Sequence, residues 1–515
     1  EKIQAVISRY LAVEKAEETL QYVKNLWRGK TDTLVIETPD TDFDRMTNLW
    51  GKYQLYGITH WRGTSAYHSA EGGLGYRDTA QDAEGILSVD TALARKKIEN
   101  LLRFQYPNGH AVSGFSEKEG SWEEQGQATV TGKSDMAVWL VYAVVAYLEE
   151  TGDFSFLEQD YAFLGGESGT VWQHCLRAIE HLTSRTGAHG LPLIGKADWN
   201  DAYDQLGHRG KGETVWLGMA VVRALKKMME LATFRDDART HDELFKKAEK
   251  MKSHILQYGW DGKWFIAAIN DLAYRVGSEE NAQGKLPLNS QTWAILSGIV
   301  DHKRGMELIG IVDKLLDTPY GPALFSPVYE NYHPGIGRVC AFAPGTKENA
   351  AVFSHAAAFK IVADCLLKRG NAAYETFCKI MPGNPAKADL EKYKVEPYIY
   401  AEYIVGPGHP TNHGEGAFTW NTGTAPWMFM AATEWICGAR RTLSGLLIDP
   451  CIPDKWRQFS IVRPFRNAIY RITVENPHHV QSGVISVKVD DEKIDGNLIT
   501  PHSDGREHKV EVLMG

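Results

Sequence analysis

Apolar residues recur every three to four positions from the start of the chain: Ile3, Val6, Ile7, Tyr10 and Leu11, then Leu20, Val23 and Leu26. That period predicts one amphipathic helix over residues 1 to about 30, the main part of a helical connector over 1–40. From 41 to 440 the same period dominates, in long runs broken by loops that contain Gly, Pro and Asp. SDMAVWLVYAVVAYLEETGD (134–153), ETVWLGMAVVRALKKMMELA (213–232), DELFKKAEKMKSHILQYG (242–259) and VFSHAAAFKIVADCLLKRG (352–370) are examples. The stretch from Met136 to Leu148 is apolar around most of its circumference, as an inner helix shielded by an outer layer must be. About 400 residues can hold roughly a dozen such helices with their loops, which predicts a mainly α protein built as an (α/α)6 barrel. A stacked α-solenoid shares the local pattern. No fixed-period repeat runs through the chain, however, and uneven polar and aromatic loops favour a closed barrel with one decorated end.

After about 441 the period changes to two. SGLLIDPCIP, FSIVRPF, AIYRITVEN, GVISVKVDD and HKVEVLMG are short, β-branched and alternating, separated by Pro, Asn, Asp and Gly. They predict a small antiparallel β domain over 441–515 that packs on the helical body.

Composition narrows the function. The 515 residues are 43% hydrophobic and 23% charged, with a net charge of −9 and a pI near 6.1. An acidic protein is not drawn over long range to nucleic acid or to an anionic membrane, so neither is the expected partner. The six cysteines show no CxxC pairing and stand in apolar surroundings, which predicts reduced thiols, no zinc site and a cytoplasmic location. The opening EKIQAVISRY is charged and amphipathic, unlike a signal peptide, and no run nears the roughly 20 apolar residues that span a bilayer. Fifteen Trp and 22 Tyr supply core volume and flat platforms for sugar rings alike.

Four stretches carry candidate chemistry. In KADWNDAYDQ (196–205), Asp198, Asp201 and Asp204 recur every third position. The EF-hand pattern fails after Asn200 and no His lies four residues on, so a metal is not expected. Helix capping accounts for Asp198 and Asp204. Asp201 lies beside Trp199, and an acid in aromatic surroundings has its charged form disfavoured, which raises its pKa towards the range useful for proton donation. WRGTSAYHSAEGGLGYRDTAQDAEGIL (61–87) mixes Arg62, Arg77, Asp78 and Gln81 with glycines that let backbone approach a ligand, and it is not a P-loop. PGTKENAAVFSHAAAF (344–359) puts Glu348 and His355 on one helical face, and a satisfied core histidine is the usual explanation for such a residue. The fourth, 396–427, contains Glu402 and ends in TGTAPW, whose amides and hydroxyls suit an oxyanion.

Taken together, NLWGKYQ, GYRDTAQD, ADWNDA with GETVWLG, GTKENAAVFSHA, EPYIYAEY, WNTGTAPWM and GLLIDPCIP resemble glycoside hydrolase family 94, the inverting disaccharide phosphorylases typified by cellobiose and chitobiose phosphorylase. The resemblance covers nearly the whole chain. It implies an (α/α)6 barrel that cleaves a β-glycosidic bond with inorganic phosphate, inverts the anomeric carbon and releases an α-sugar 1-phosphate. Phosphate is already an anion, so one acid suffices, whereas an inverting hydrolase needs a second carboxylate roughly 6.5–9.5 Å away to activate water. By motif position Asp201 resembles the general acid and Trp199 a wall of the donor-sugar subsite. Arg77, Asp78, Glu348 and Glu402 resemble the sugar-binding set, and Arg62, His355, Thr422 and Gly423 the phosphate site. No cofactor or metal is implied beyond phosphate as co-substrate, and the partners are a small sugar and a second copy in a homodimer. Glu402 stands where cellobiose- and chitobiose-type members carry Gln. The family's N-terminal β-sandwich is missing from this chain, which leaves a non-catalytic carbohydrate-binding module or a β-glucan synthase fragment as further readings beside a glycan hydrolase. The loops around 329–338 and 409–418 are expected to shape the acceptor subsite.

Overall fold

A computed structural model of the chain describes residues 2–61, 74–115, 132–382 and 389–515. The predicted N-terminal helix is two helices, α1 (Lys2–Tyr10) and α2 (Val13–Thr31), with Ala12 in an extended conformation between them. No side chain caps the second helix there, and nothing in the residues at the break accounts for it. Ile3, Val6, Ile7, Tyr10 and Leu11 are exposed.

The body is helical. Short α3 (Thr41–Arg45) and α4 (Gly51–Trp61) lead into α5 (Tyr76–Ile86), α6 (Thr91–Arg103), α7 (Met136–Thr151) and α8 (Val171–Ser184). Then come α9 (Val215–Phe234), α10 (Ala238–His254), α11 (Leu288–Leu296), α12 (His302–Leu316), α13 (Ser354–Leu366), α14 (Gly370–Ile380), α15 (Leu390–Tyr393) and α16 (Thr424–Met430). Helices α5, α7, α9, α11, α13 and α16 each pack on the next, and α16 packs back on α5. A second set lies outside: α6 against α5 and α7, α8 against α7 and α9, α10 on α9, α12 on α11, α14 on α13, and α4 against α5 and α16. Sequence explains the sorting. In α7 every residue from Met136 to Glu150 is buried, whereas outer α10 buries a single stripe, Leu244, Ala248 and Met251. The ring is filled by aromatics: Trp293 lies 5.3 Å from Trp216 and from Phe359, and 6.0 Å from Trp139, between ring centroids. Helices α5 and α16 meet at Gly85, where an added Cβ would stand 2.3 Å from Pro426 Cβ, so only glycine permits the approach.

The C-terminal residues form a six-stranded sheet in the order 35–37, 458–465, 468–475, 507–513, 486–489, 492–494. Two features differ from the expected antiparallel domain. Ala468–Glu475 pairs with Glu507–Leu513 in parallel, because the chain crosses over through 486–494 before returning. The first strand, Val35–Glu37, comes from the stretch assigned to the connector and pairs with 460–462. Inside this sheet His508 is buried, with Nδ1 2.7 Å from Asp490 Oδ2 and Nε2 3.1 Å from Asp504 Oδ1. The hydrogen bond to Asp490, then that to Asp504, raises the imidazole pKa above 6.5. A raised histidine stabilises the fold fully below its unfolded pKa of about 6.5 and ceases to do so as pH rises through the folded value. The gap in melting temperature between the wild type and His508→Gln is therefore expected to narrow from pH 6 to pH 9. A constant gap would remove the charge from the explanation.

Candidate active site

The chemistry-bearing stretches converge on the end of the helical ring where the inner helices begin. Arg77 and Asp78 open α5, His355 opens α13, and Thr422 and Gly423 precede α16. The 196–206 loop supplies Trp199 and Asp201, the 343–351 loop supplies Glu348, and strand Ala401–Ile404 supplies Glu402. These residues line one cavity of about 210 Å³, together with Gln81, Phe353 and Asn421. Of the ten residues to which the resemblance gives a role, nine thus share one cavity; the tenth, Arg62, lies outside the described residues.

The Asp-rich loop is not a helix start, contrary to the capping expected for Asp198 and Asp204, since residues 198–206 run through bends and turns with no helix. Both acids pin the loop instead. Asp198 Oδ1 accepts from the Asn200 amide at 2.9 Å and Oδ2 from the Thr214 hydroxyl at 2.6 Å, and that hydroxyl caps α9. Asp204 Oδ1 accepts from the Arg338 amide at 2.9 Å, and Oδ2 lies 2.8 Å from Arg338 Nε. The result is a rigid loop that presents Asp201 to the cavity. Trp199 forms the wall behind it, edge-on to His355 at 5.2 Å and to Phe353 at 5.5 Å.

Asp201 does not have the raised pKa expected from its aromatic neighbour. Arg77 Nη2 donates to Oδ1 at 2.6 Å, and Lys133 Nζ lies 2.8 Å from Oδ2. Burial pushes the carboxyl up, but Arg77 and then Lys133 outweigh it and hold it below its ordinary 3.8. The carboxyls pushed upwards are its neighbours. Burial, then Glu348, raise Glu402 to about 8; burial raises Glu348; and burial raises Asp198 to about 7 against its hydrogen bond from Thr214. Lys133, Asp135 and Arg338 were not singled out in the sequence. Their signal is tertiary: Arg77 reaches Asp135 at 3.0 Å and the Asp198 carbonyl at 3.1 Å, and Arg338 Nη2 donates to the Asp201 carbonyl at 2.9 Å.

In the same cavity, Thr422 accepts from the Thr424 amide at 3.1 Å, and the two hydroxyls are 2.7 Å apart. A Cβ at position 423 would stand 2.6 Å from His355 Cε1, so glycine lets backbone and imidazole share one wall. Imidazole, hydroxyl and amide donors at the starts of helices make a suitable anion cradle. Among the described residues no cluster of His, Cys, Asp and Glu could hold a metal ion, and no helix is long and apolar enough to cross a membrane.

Residues 26–438 match the family model described as "Glycosyl hydrolase 94 superfamily, catalytic domain". The chain is 37% identical over 486 residues to solabiose phosphorylase of Paenibacillus borealis, covering 94% of this chain and 61% of that protein. It is 34% identical over 505 residues to 3-O-beta-D-glucopyranosyl-beta-D-glucuronide phosphorylase of the same organism, covering 98% and 64%. The chain thus spans a little under two thirds of the length of these relatives. Among solved structures, the GH78 family rhamnosidase of Bacillus sp. GL1 aligns with a TM-score of 0.57 at 14% identity, over 94% of this chain and 44% of that one, a likeness of fold alone.

Proposed function

The chain belongs to the glycosyl hydrolase 94 family, and from that premise we propose that it catalyses the reversible, inverting phosphorolysis of a β-linked gluco-type disaccharide or oligosaccharide. The helical body acts as an (α/α)6 barrel with its active end at the inner-helix starts. One observation carries the reading: the Asp201 carboxyl and the anion cradle of His355, Thr422 and Gly423 line a single cavity. A hydrolase has no use for that cradle.

Asp201 acts as the general acid, passing a proton to the glycosidic oxygen as the bond to the anomeric carbon breaks, while a phosphate oxygen attacks that carbon from the opposite face. Arg77, Asp78, Trp199, Glu348 and Glu402 hold the donor sugar, which keeps nucleophile, carbon and acid in line. Incubation with β-linked glucose disaccharides and inorganic phosphate, followed by NMR of the products, tests this. Phosphate-dependent appearance of an α-sugar 1-phosphate is expected; equal hydrolysis without phosphate would overturn it.

Glu402 makes the reading pH-dependent. With its pKa raised to about 8, it enters the neutral range as a carboxylic acid that donates a hydrogen bond to a sugar hydroxyl. Deprotonation removes that donor and adds charge beside Glu348, so sugar affinity is expected to fall about tenfold as pH rises through 8. In Glu402→Gln, which keeps a neutral donor, calorimetric titration should show a flat profile over that range.

A further inference from the structure

A carboxyl group that protonates a leaving oxygen must keep one oxygen free of cations to carry the proton and face the substrate. In Asp201 both are occupied, Oδ1 by Arg77 and Oδ2 by Lys133. The two cations are not held alike. The Arg77 side chain is 11% exposed and also donates to Asp135, a carboxylate with no exposed side-chain surface that accepts from Trp139 Nε1 at 2.9 Å as well. Moving Arg77 would strand a buried charge, which is strongly unfavourable. Lys133 is 21% exposed, and Asp201 is its one ion-pair partner among the described residues. Its backbone is pinned by a β-bridge to Gly195, at the root of the Asp201 loop, while its ammonium rides on a flexible four-carbon stem. The other charged groups that face Asp201 are Glu348 and Glu402, both carboxyls, with Arg338 on its backbone carbonyl.

We propose that Lys133 is a positioning residue that caps Asp201 Oδ2 and leaves it when sugar enters, so that Oδ2 is the oxygen that takes up and delivers the proton. The inference rests on the phosphorolysis proposed above. Sugar entry displaces the ammonium into solvent; Oδ2 then takes one proton from water, with Oδ1 still held by Arg77. That proton passes to the leaving oxygen, the carboxylate returns, and Lys133 closes on it again. Proton uptake is thereby coupled to occupancy, and the acid stays ionised and inert in the absence of substrate.

The test compares wild type, Lys133→Met and Lys133→Arg by the pH dependence of kcat/KM for the disaccharide at saturating phosphate. In the wild type kcat/KM should climb as pH falls, because the free enzyme holds Asp201 ionised. In Lys133→Met the climb should level off at a pH higher by about one unit or more, the size of effect an adjacent cation exerts, and Lys133→Arg should follow the wild type. Coincident profiles for wild type and Lys133→Met, or equal displacement in both variants, would overturn the proposal. A second readout does not depend on turnover. The 13Cγ resonance of Asp201 in Asp-labelled protein, identified by its loss in Asp201→Asn, should titrate higher in Lys133→Met and higher in the wild type once disaccharide is added. An unchanged midpoint in both cases would sink the inference. A wild type that releases no sugar 1-phosphate at any pH counts against the phosphorolysis alone, and the resonance still decides the role of Lys133.

Discussion

Asp201→Asn is expected to lower kcat for phosphorolysis by about 10²–10⁴-fold while sugar affinity changes little, because a positioned general acid contributes on that scale. The substitution is close to isosteric, and the amide oxygen can still accept from Arg77, which the wild-type carboxylate meets at 2.6 Å. The loss should therefore fall on the proton transfer and leave the shape of the cavity alone. A fall in kcat and kcat/KM together, with KM nearly constant, is the signature of an interaction made only in the transition state. The loss should also depend on the leaving group. An aryl β-glucoside whose phenol leaves without protonation should be cleaved by Asp201→Asn at a rate near that of the wild type. Retention of activity within tenfold on an ordinary disaccharide would assign the proton to another group, and Glu348 or Glu402, both pushed up by burial, would be next to examine.

Glu150→Ala should destabilise the protein by about 3–5 kcal/mol, the range for breaking a buried ion pair by removing one partner. Glu150 sits near the end of α7, and its two oxygens accept from Arg463 Nη1 and Nη2 at 2.7 and 2.6 Å. Arg463 belongs to the C-terminal sheet and is 1% exposed, and Arg441, also buried, reaches Glu150 at 3.9 Å. Truncation leaves the buried Arg463 guanidinium, whose Nη1 donates to the Pro464 carbonyl at 2.7 Å, without its carboxylate, at the joint between sheet and helical body. Urea unfolding followed by circular dichroism measures the change; a loss below about 1 kcal/mol would show that water reaches Arg463. The double variant Glu150→Met, Arg463→Met should recover much of the loss, since replacing both partners with apolar side chains is often near neutral. The same helix begins beside Asp135, which anchors Arg77, so loosening its far end should also reduce turnover.

Much of this architecture was legible in the chain itself. A helix repeats near 3.6 and a strand at 2, and both periods are local, so the all-round apolar run at Met136–Leu148 and the alternation after 441 are realised as buried α7 and a C-terminal sheet. The break at Ala12 and the parallel partner of Ala468–Glu475 were not legible. Alternation says which face of a strand is buried and nothing about the direction of its neighbour, which depends on where the intervening chain crosses. Likewise, Val35–Glu37 is too short to announce itself and becomes a strand only because residues 460–462 lie beside it.

The active site divides in the same way. The family resemblance, carried by short motifs, pointed to Arg77, Asp78, Trp199, Asp201, Glu348, His355, Glu402, Thr422 and Gly423, and all nine line one cavity. Charge state is a property of distance and burial. Beside Trp199 in the sequence, Asp201 reads as a carboxyl pushed towards neutrality; in the fold, Arg77 from 124 positions away and Lys133 from a separate segment hold it below the ordinary carboxylate value. Glu402, which the sequence leaves open between charge and neutrality, loses its solvent and gains Glu348 as a neighbour, and so holds its proton. The sequence by itself determined the helical and strand periods and the inventory of candidate groups. The tertiary structure alone decided which of those groups carries a charge, since Coulomb interaction and desolvation act through space and not along the chain.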